Sequence, residues 1–142
     1  PCDSFINLFA KLIKFLPVIL LAKPRARFQP IYVEDVAAAV TQSIQEKRTF
    51  GQTYPLTGPK IYTLIELVKL VSEQLHKKRL IVGLNDKFSY LQAWAMEKLP
   101  KKMMTRDNVR SMEIDSVSSQ NFPDYLDFKP RSLESILPSY IN

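Results

Sequence analysis

The stretch that decides the fold is RFQPIYVEDVA, residues 27–37. Its aromatic and β-branched residues predict that Ile31–Val33 forms a short strand or an extended lead into a helix. Asp35 follows, and its carboxylate can accept from the free N–H groups of a first helical turn. We therefore expect Asp35 to be the N-cap of a helix that runs to about Lys47. One side of this helix is apolar and consists of Val36, Val40 and Ile44.

Helical and short extended segments alternate on both sides of this stretch. Before it, an amphipathic helix from about Phe5 ends at Pro17. The predicted extended segments are Val18–Leu21, Thr53–Thr57 and Leu80–Val82, with a turn at Gly51. The other predicted helices are one opened by the capping box Thr63-x-x-Glu66, one from about Lys87 to Leu99, a short one beginning at Thr105 or Asp107, and a last one capped by Ser132. We expect an α/β chain, mostly helical with a few short strands, that forms a single domain over residues 1–142.

The composition fits a folded domain but not a complete nucleotide-binding α/β protein. Hydrophobic residues make up 46% of the chain and charged residues 24%, close to the averages of globular proteins. The glycines are Gly51, Gly58 and Gly83, and neither G-x-G-x-x-G nor G-x-x-x-x-G-K-[ST] is present. This scarcity argues against a phosphate-binding turn, because such turns are built from glycines.

The net charge of +6 favours anionic partners. A basic cluster near Tyr90 and Trp94 could be a nucleic-acid patch; it consists of Lys98, Lys101, Lys102 and Arg106. Trp94 more simply belongs to an apolar helix face with Leu91, so nucleic acid is the weaker interpretation. Further cations favour an anionic membrane surface or an acidic protein instead, and they are Lys11, Lys14, Lys23, Arg25 and Arg27. Lysines and a proline interrupt the apolar segment from Phe5 to Ala22, which argues against a membrane-spanning helix.

The residues predict no catalytic, cofactor-binding or metal-binding site. Tyr125 and Lys129 have the spacing Tyr-x-x-x-Lys, but the proline directly after Lys129 disfavours the helix that would place both on one face. His76 is the one histidine, and it follows a helix, where a cation complements the helix dipole and caps free carbonyls. Glu34 and Asp35 are adjacent on a helix start, so their carboxylates would point apart.

The deciding stretch belongs to an ordered set of motifs. The others are Phe5-x-Asn7, Gly51-x-x-Tyr54-x-Leu56-x-Gly58-Pro59-x-x-Tyr62-Thr63-x-x-Glu66-Leu67, Thr105-Arg106-Asp107-Asn108-Val109 and Phe128-x-Pro130-x-Ser132-Leu133-Glu134-x-x-Leu137. In order and spacing the set resembles the second half of an extended short-chain dehydrogenase/reductase. It is most similar to the atypical branch that contains the NADPH-binding Rossmann-type accessory subunit of respiratory complex I and its bacterial relatives.

The resemblance implies a parallel Rossmann sheet with a small C-terminal lobe, and NAD(P)(H) bound on a Gly-rich first turn. That turn and the catalytic Tyr-x-x-x-Lys pair of the active members would precede Pro1. The 142 residues would then be the C-terminal, substrate-side lobe with the last Rossmann elements. We expect this fragment to hold no cofactor and to catalyse nothing by itself.

The resemblance also bears on substrate and partners. Nucleotide-sugar epimerases of the wider family often carry Arg at the position of Phe28, whereas this chain has Arg27 one residue earlier, which reverses the side-chain direction in an extended segment. We expect Arg27, Gln29 and Tyr32 to face a substrate or a partner. The expected partners are the missing N-terminal Rossmann half and a second copy that covers exposed apolar faces.

Two alternatives remain open for the function. The chain could be part of a nucleotide-sugar epimerase or reductase, or it could be a basic interaction module that docks on an acidic partner or a membrane surface. The expected location is the cytoplasm or the periphery of the inner face of an energy-transducing membrane.

Overall fold

The structure is a computed structural model that describes residues 4–97, 106–120, 122–124 and 126–141. Within these residues the helices are α1 (Ser4–Phe15), α2 (Val33–Gln45), α3 (Leu64–Gln74), α4 (Asp86–Glu97), α5 (Arg106–Ser111) and α6 (Leu133–Tyr140), with a 3-10 turn at Lys47–Thr49. The strands are β1 (Val18–Leu21), β2 (Arg27–Phe28), β3 (Tyr62–Thr63) and β4 (Leu80–Gly83). The expected α/β chain with mostly helices and a few short strands is confirmed. No helix in these ranges is long and apolar enough to cross a bilayer.

The core lies where α1 and α3 cover one face of a two-stranded sheet. β1 and β4 are parallel, with Val18 opposite Leu80 and Leu21 opposite Gly83. The buried core residues are Ile6, Phe9, Ala10 and Ile13 of α1, Ile19 and Leu21 of β1, Leu64, Val68 and Val71 of α3, and Leu137 and Ile141 at the end of α6. Because side chains alternate along a strand, the other face of this sheet is left uncovered.

β2 and β3 form a second, antiparallel pair in which Arg27 lies opposite Thr63. The segment around Ser116 lies on the other edge of β2, where Ser116 N donates to Arg27 O at 2.8 Å and Gln29 N donates to Ser116 O at 3.0 Å. The chain then passes Gly58 so closely that a Cβ there would lie 1.8 Å from Pro30 O. Glycine at this position is what allows the backbone of residues 29–31 to approach.

Residues 27–37 differ from the prediction in the position of the strand and in the residue that caps the helix. The strand is Arg27–Phe28, and the backbone after it stays extended to Tyr32, which is the N-cap of α2 with a φ of −75° and a ψ of 136°. Asp35 is therefore not the N-cap but the third helical residue. Its carboxylate is bound by Arg131 instead, a partner too distant in sequence to be read from local capping rules.

The strand predicted over Thr53–Thr57 is absent, since these residues have no strand assignment. Pro55 lies in the middle of the run and has no N–H to donate to a ladder. The neighbouring strand is Tyr62–Thr63. Gly51 does occupy a turn, with a φ of +71°.

The ends of α3 follow the capping rules. Thr63 and Glu66 form the predicted capping box, in which Thr63 N donates to Glu66 Oε2 at 2.7 Å. At the other end His76 has a φ of 52°, its N–H donates to Glu73 O, and Lys77 N donates to Ser72 O. These two bonds define a Schellman motif, so the predicted role of His76 at the helix end is a backbone role.

Two apolar helix sides that the sequence predicts are exposed. On α2, Val40 is 54% exposed and Ile44 is 71% exposed, and the buried residues are Asp35 and Ala39. On α4, Ser89 and Ala93 are fully buried while Leu91 is 57% exposed. Both helices therefore turn small or polar residues inward and large apolar ones outward.

Candidate functional site

A cavity of about 530 Å³ lies between α1, the start of α2 and α6. Tyr32 and Val33 reach it because the extended residues after β2 carry the chain past α6 before α2 begins. Its lining is almost wholly apolar apart from two phenols and one guanidinium, and it consists of Ile6, Pro30, Ile31, Tyr32, Val33, Arg131, Leu133, Ile136, Leu137 and Tyr140. We call it the Tyr32 cavity.

Arg131, which lines the Tyr32 cavity, is half exposed and pairs with a buried carboxylate. The Asp35 side chain is 5% exposed and accepts from Arg131 N at 2.7 Å and from Arg131 Nε at 2.8 Å. The same guanidinium lies 3.3 Å from Glu34 Oε2. Hydrogen bonds to both carboxylates, with that to Asp35 the larger cause, raise the pKa of Arg131. At neutral pH two carboxylates thus face one guanidinium, so the group carries one net negative charge.

The Tyr32 ring packs between Arg131 and Tyr140. The Arg131 guanidinium lies over its ring at 4.4 Å from the centroid, and Tyr140 meets the ring edge-on at 6.3 Å. A hydrogen bond with Glu34, followed by burial, raises the pKa of Tyr32 above 10. The phenol therefore stays protonated at neutral pH and is not suited to act as a base.

The chemistry of the cavity follows from these contacts. Arg131 is the charged residue of the lining, and its pairing with Asp35 and Glu34 offsets its attraction for an anionic ligand. Val33 lines the cavity and is also the first residue of an exposed apolar stripe along α2. The stripe consists of Val33, Ala37, Val40 and Ile44, which share one helix face. We call these four residues the α2 stripe. A cavity that opens onto such a stripe is suited to the apolar side chains of another polypeptide segment.

A second polar cluster lies at the carboxyl ends of β1 and β4. Lys23 follows β1 with a φ of 48°, and its ammonium lies 2.9 Å from Asp86 Oδ1 and 3.3 Å from Glu113 Oε1. Tyr90 OH donates to the same Glu113 oxygen at 2.7 Å. This is the Lys23 cluster, and a polar cavity of about 830 Å³ adjoins it.

Mutual hydrogen bonding fixes the protonation states of the Lys23 cluster. Its bond with Asp86 is the main cause that raises the pKa of Lys23. Tyr90, and then Lys23, lowers the pKa of Glu113, while Glu113 raises the pKa of Tyr90. The pKa values of Lys23, Tyr90 and Glu113 are thus moved further from neutral pH, which suits a structural role better than proton transfer. No sequence pattern indicated this cluster. In the structure, the positive φ of Lys23 marks the residue as unusual.

The connection between β4 and α4 follows a parallel strand and contains Gly83, but it does not fit a pyrophosphate. A Cβ on Gly83 would meet the Pro24 side chain at 2.8 Å, so this glycine makes room for a proline. At the start of α4, Asn85 Oδ1 already accepts from Phe88 N at 3.0 Å. Asp86 adds a carboxylate to the first turn, where it would repel a phosphate.

Of the three residues predicted to face a substrate or a partner, Arg27 and Gln29 contact the segment of residues 115–118 and Tyr32 lies elsewhere. Arg27 donates through its backbone N–H to Asp115 Oδ1 at 3.1 Å, and its guanidinium lies 3.7 Å from that carboxylate. The Gln29 amide donates to Gly58 O at 2.9 Å and accepts from Ser118 N at 3.0 Å. Tyr32 lines the cavity named after it. The structure thus does not gather the three around one cavity, and what each of them faces in solution stays a prediction.

Several of the other candidate residues lie outside the ranges that the structure describes. Tyr125, Lys98, Leu99, Lys101, Lys102 and Thr105 lie outside the described residues, so the Tyr125–Lys129 spacing and most of the basic patch have no structural account. Arg106 begins α5. Among the described side chains, no three His, Cys, Asp or Glu residues are grouped so as to hold a metal ion.

Comparison with known proteins gives distant relatives and no matching family model. The mitochondrial NADH dehydrogenase [ubiquinone] 1 alpha subcomplex subunit 9 of Arabidopsis thaliana is 28% identical over 141 residues, which are 90% of this chain and 34% of that protein. The mitochondrial NADH-ubiquinone oxidoreductase 40 kDa subunit of Neurospora crassa is 34% identical over 53 residues, which are 37% of this chain and 14% of that one.

Solved structures give the fold. A nucleoside-diphosphate-sugar epimerase of Staphylococcus aureus matches 97% of this chain and 48% of its own with a TM-score of 0.61 and 20% identity. A dTDP-4-dehydrorhamnose reductase of Bacillus anthracis, solved in complex with NADP, matches 99% of this chain and 42% of its own with a TM-score of 0.58 and 15% identity. The chain thus spans about a third of the Arabidopsis relative and less than half of each solved chain. It is distantly similar to these two mitochondrial NADH dehydrogenase subunits, and it has the fold of part of the epimerase and of part of the reductase solved with NADP.

Proposed function

We propose that these 142 residues are the substrate-side part of an NAD(P)-binding protein of the complex I accessory type, and that the dinucleotide is held by a part of the protein outside them. One observation carries the proposal: 97% of the chain superposes on 48% of an epimerase. The connection between β4 and α4 has an acidic first turn, which would repel a pyrophosphate and supports placing the dinucleotide elsewhere in the protein. The name of the Arabidopsis relative supports a mitochondrial location for the whole protein.

The surfaces of the fragment support the same proposal. The Tyr32 cavity and the α2 stripe form a continuous apolar surface, with Val33 at 58%, Val40 at 54% and Ile44 at 71% exposure. A protein rarely leaves such a surface open to water. We infer that the rest of the protein covers it with an apolar helix face, and that the Tyr32–Arg131 wall fixes the start of α2 for this contact.

A cofactor titration tests the first part. NADPH fluorescence is followed as either the 142-residue chain or the complete gene product is added. We expect enhancement and saturation with the complete product and no saturable signal with the chain alone. Saturable binding of NADPH by the chain alone would overturn the proposal.

A reconstitution experiment tests the second part. The remainder of the gene product is produced separately and mixed with the tagged chain, and its retention is measured. We expect the double variant Val40→Glu/Ile44→Glu to abolish retention, because it places two charges in the apolar contact. Ile114→Glu is the matched control, since Ile114 is 78% exposed and lies outside the α2 stripe. Equal retention of the double variant and the control would rule out the α2 stripe as the contact.

A further inference from the structure

The amino ends of β1 and β4 meet the last turn of α1 at one corner of the molecule. Leu80 N donates to Pro17 O at 3.3 Å, and Arg79 Nε donates to Ile13 O at 2.9 Å. Lys77 Nζ reaches Lys14 O at 3.3 Å. These contacts bring residues 11–18 and 76–82 together, and we call the two segments the basic corner.

The basic corner exposes large apolar side chains. Phe15 ends α1 and is 83% exposed, and Leu80 at the start of β4 is 62% exposed. The uncovered face of the β1–β4 sheet continues from them with Val18, Leu20 and Val82. Unlike the α2 stripe, this surface does not adjoin the Tyr32 cavity, whose lining contains none of these residues.

Exposed lysines belong to the same two segments as these apolar side chains. Lys11 and Lys14 are exposed near the end of α1, and Lys78 is exposed between Lys77 and Arg79. Residues 4–22 and 74–85 contain no Asp or Glu, and the nearest acidic residue along the chain is Glu73. The charge of the basic corner is therefore of one sign, which opposes the approach of a second copy through the same surface.

We propose that the basic corner docks on an anionic lipid surface. Phe15 and Leu80 enter the boundary between head groups and acyl chains, and the lysines bind lipid phosphates, since their long side chains can extend toward the head groups while their apolar stems stay buried. A highly exposed aromatic side chain in a segment rich in exposed lysines is typical of interfacial binding. An acidic protein would instead need a groove of matching shape for Phe15.

Vesicle flotation tests this proposal on the 142-residue chain. We expect the chain to float with vesicles of phosphatidylcholine mixed with phosphatidylglycerol, but not with phosphatidylcholine alone. Added salt should release it, because salt screens exposed charges. Equal, low flotation with both vesicle types would overturn the proposal.

Variants separate the contribution of the cations from that of the apolar side chains. Lys78→Gln should lower the partition coefficient about fivefold, as expected for one cation near an anionic surface. Phe15→Ser should lower it by roughly tenfold or more, as expected for loss of one buried aromatic side chain. Ile114→Ser and Lys47→Gln are the matched controls, since both residues are exposed outside the basic corner, and they should leave binding within twofold.

An acidic protein partner is the remaining outcome. If soluble polyglutamate binds the chain as tightly as the anionic vesicles do and Phe15→Ser leaves both affinities unchanged, the surface recognises charge alone and the lipid proposal is wrong. If Phe15→Ser weakens vesicle binding and leaves polyglutamate binding unchanged, the lipid proposal is supported.

Discussion

His76 adopts a backbone conformation that side chains with a Cβ disfavour. Its φ of 52° lies in the left-handed region, and the Schellman motif at the end of α3 requires that conformation. Glycine has no Cβ to clash there. We expect His76→Gly to stabilise the chain by about 1 kcal/mol, seen as a rise of roughly 3–4 °C in the melting temperature. His76→Val should lower the melting temperature, and a rise with Val would show that the backbone is not left-handed.

Asp35 is the residue on which the start of α2 depends. Its carboxylate is almost fully buried and accepts from both the backbone and the guanidinium of Arg131. Removing it leaves these donors without their acceptor, so Asp35→Ala should cost about 2–3 kcal/mol in urea unfolding. Asp35→Asn keeps one acceptor and should cost less. Glu34→Gln is the control, since Glu34 is 65% exposed, and a loss there as large as that of Asp35→Ala would contradict this account.

The sequence predicted that Asp35 matters but not why. A carboxylate at a helix start is adequately explained by capping, and nothing local indicates that Arg131 returns to it from the far end of the chain. The same limit applies to Lys23, whose partners Asp86 and Glu113 are distant in sequence. Side chains that bind through tertiary contacts are set by topology, which local patterns do not contain.

At the scale of elements, Glu134 joins β3 to α6. It accepts from Tyr62 OH at 2.7 Å and from Lys60 Nζ at 3.0 Å. The bond from Tyr62 is the largest cause that lowers the pKa of Glu134 to about 2, followed by a bond from its own backbone N–H and then by Lys60. Burial, followed by the bond to Glu134, raises the pKa of Tyr62. A carboxyl of the unfolded chain titrates near 4.3, so the stabilisation is complete above that pH and is lost as the pH falls toward 2.

This difference predicts a pH dependence. The free energy of unfolding in urea should be measured for the unchanged chain and for Glu134→Gln from pH 6 to pH 2. The difference between the two should shrink as the pH falls, because the unchanged chain loses the bonds of the ionised Glu134 carboxylate and the variant has no such carboxylate. The effect should be modest, since Glu134 is partly exposed and solvent screens the interaction. A deficit that stays constant over this range would contradict the lowered pKa.

Elements with local signals agreed best with the sequence. The capping box at Thr63, the cap at Ser132 and the apolar run of β1 each depend on neighbours within a few residues, and the structure has all three. The strand over Thr53–Thr57 was wrong because Pro55 outweighs its β-propensity. The sequence correctly predicted that α2 and α4 have apolar faces. Periodicity does not show, however, whether the surface that packs against such a face belongs to the same 142 residues.

At the scale of the whole molecule, the exposed α2 stripe should make the isolated chain associate. Apolar area left in water favours any contact that removes it. We expect sedimentation velocity at rising protein concentration to show a reversible dimer. The variant Val40→Glu/Ile44→Glu should sediment as a monomer while keeping its circular dichroism spectrum. A dimer that persists in this variant would place the contact elsewhere.

The parallel pairing of β1 with β4 has a consequence for how the chain is made. β1 leaves the ribosome first, and α2, β3 and α3 must all be synthesised before the strand that pairs with it emerges. At roughly 5–20 residues per second this interval lasts several seconds. For most of it the apolar side of α1, with Phe9 and Ile13, has no α3 to pack against. The nascent segment that contains α1 and β1 should therefore be a chaperone client until α3 and β4 have been translated.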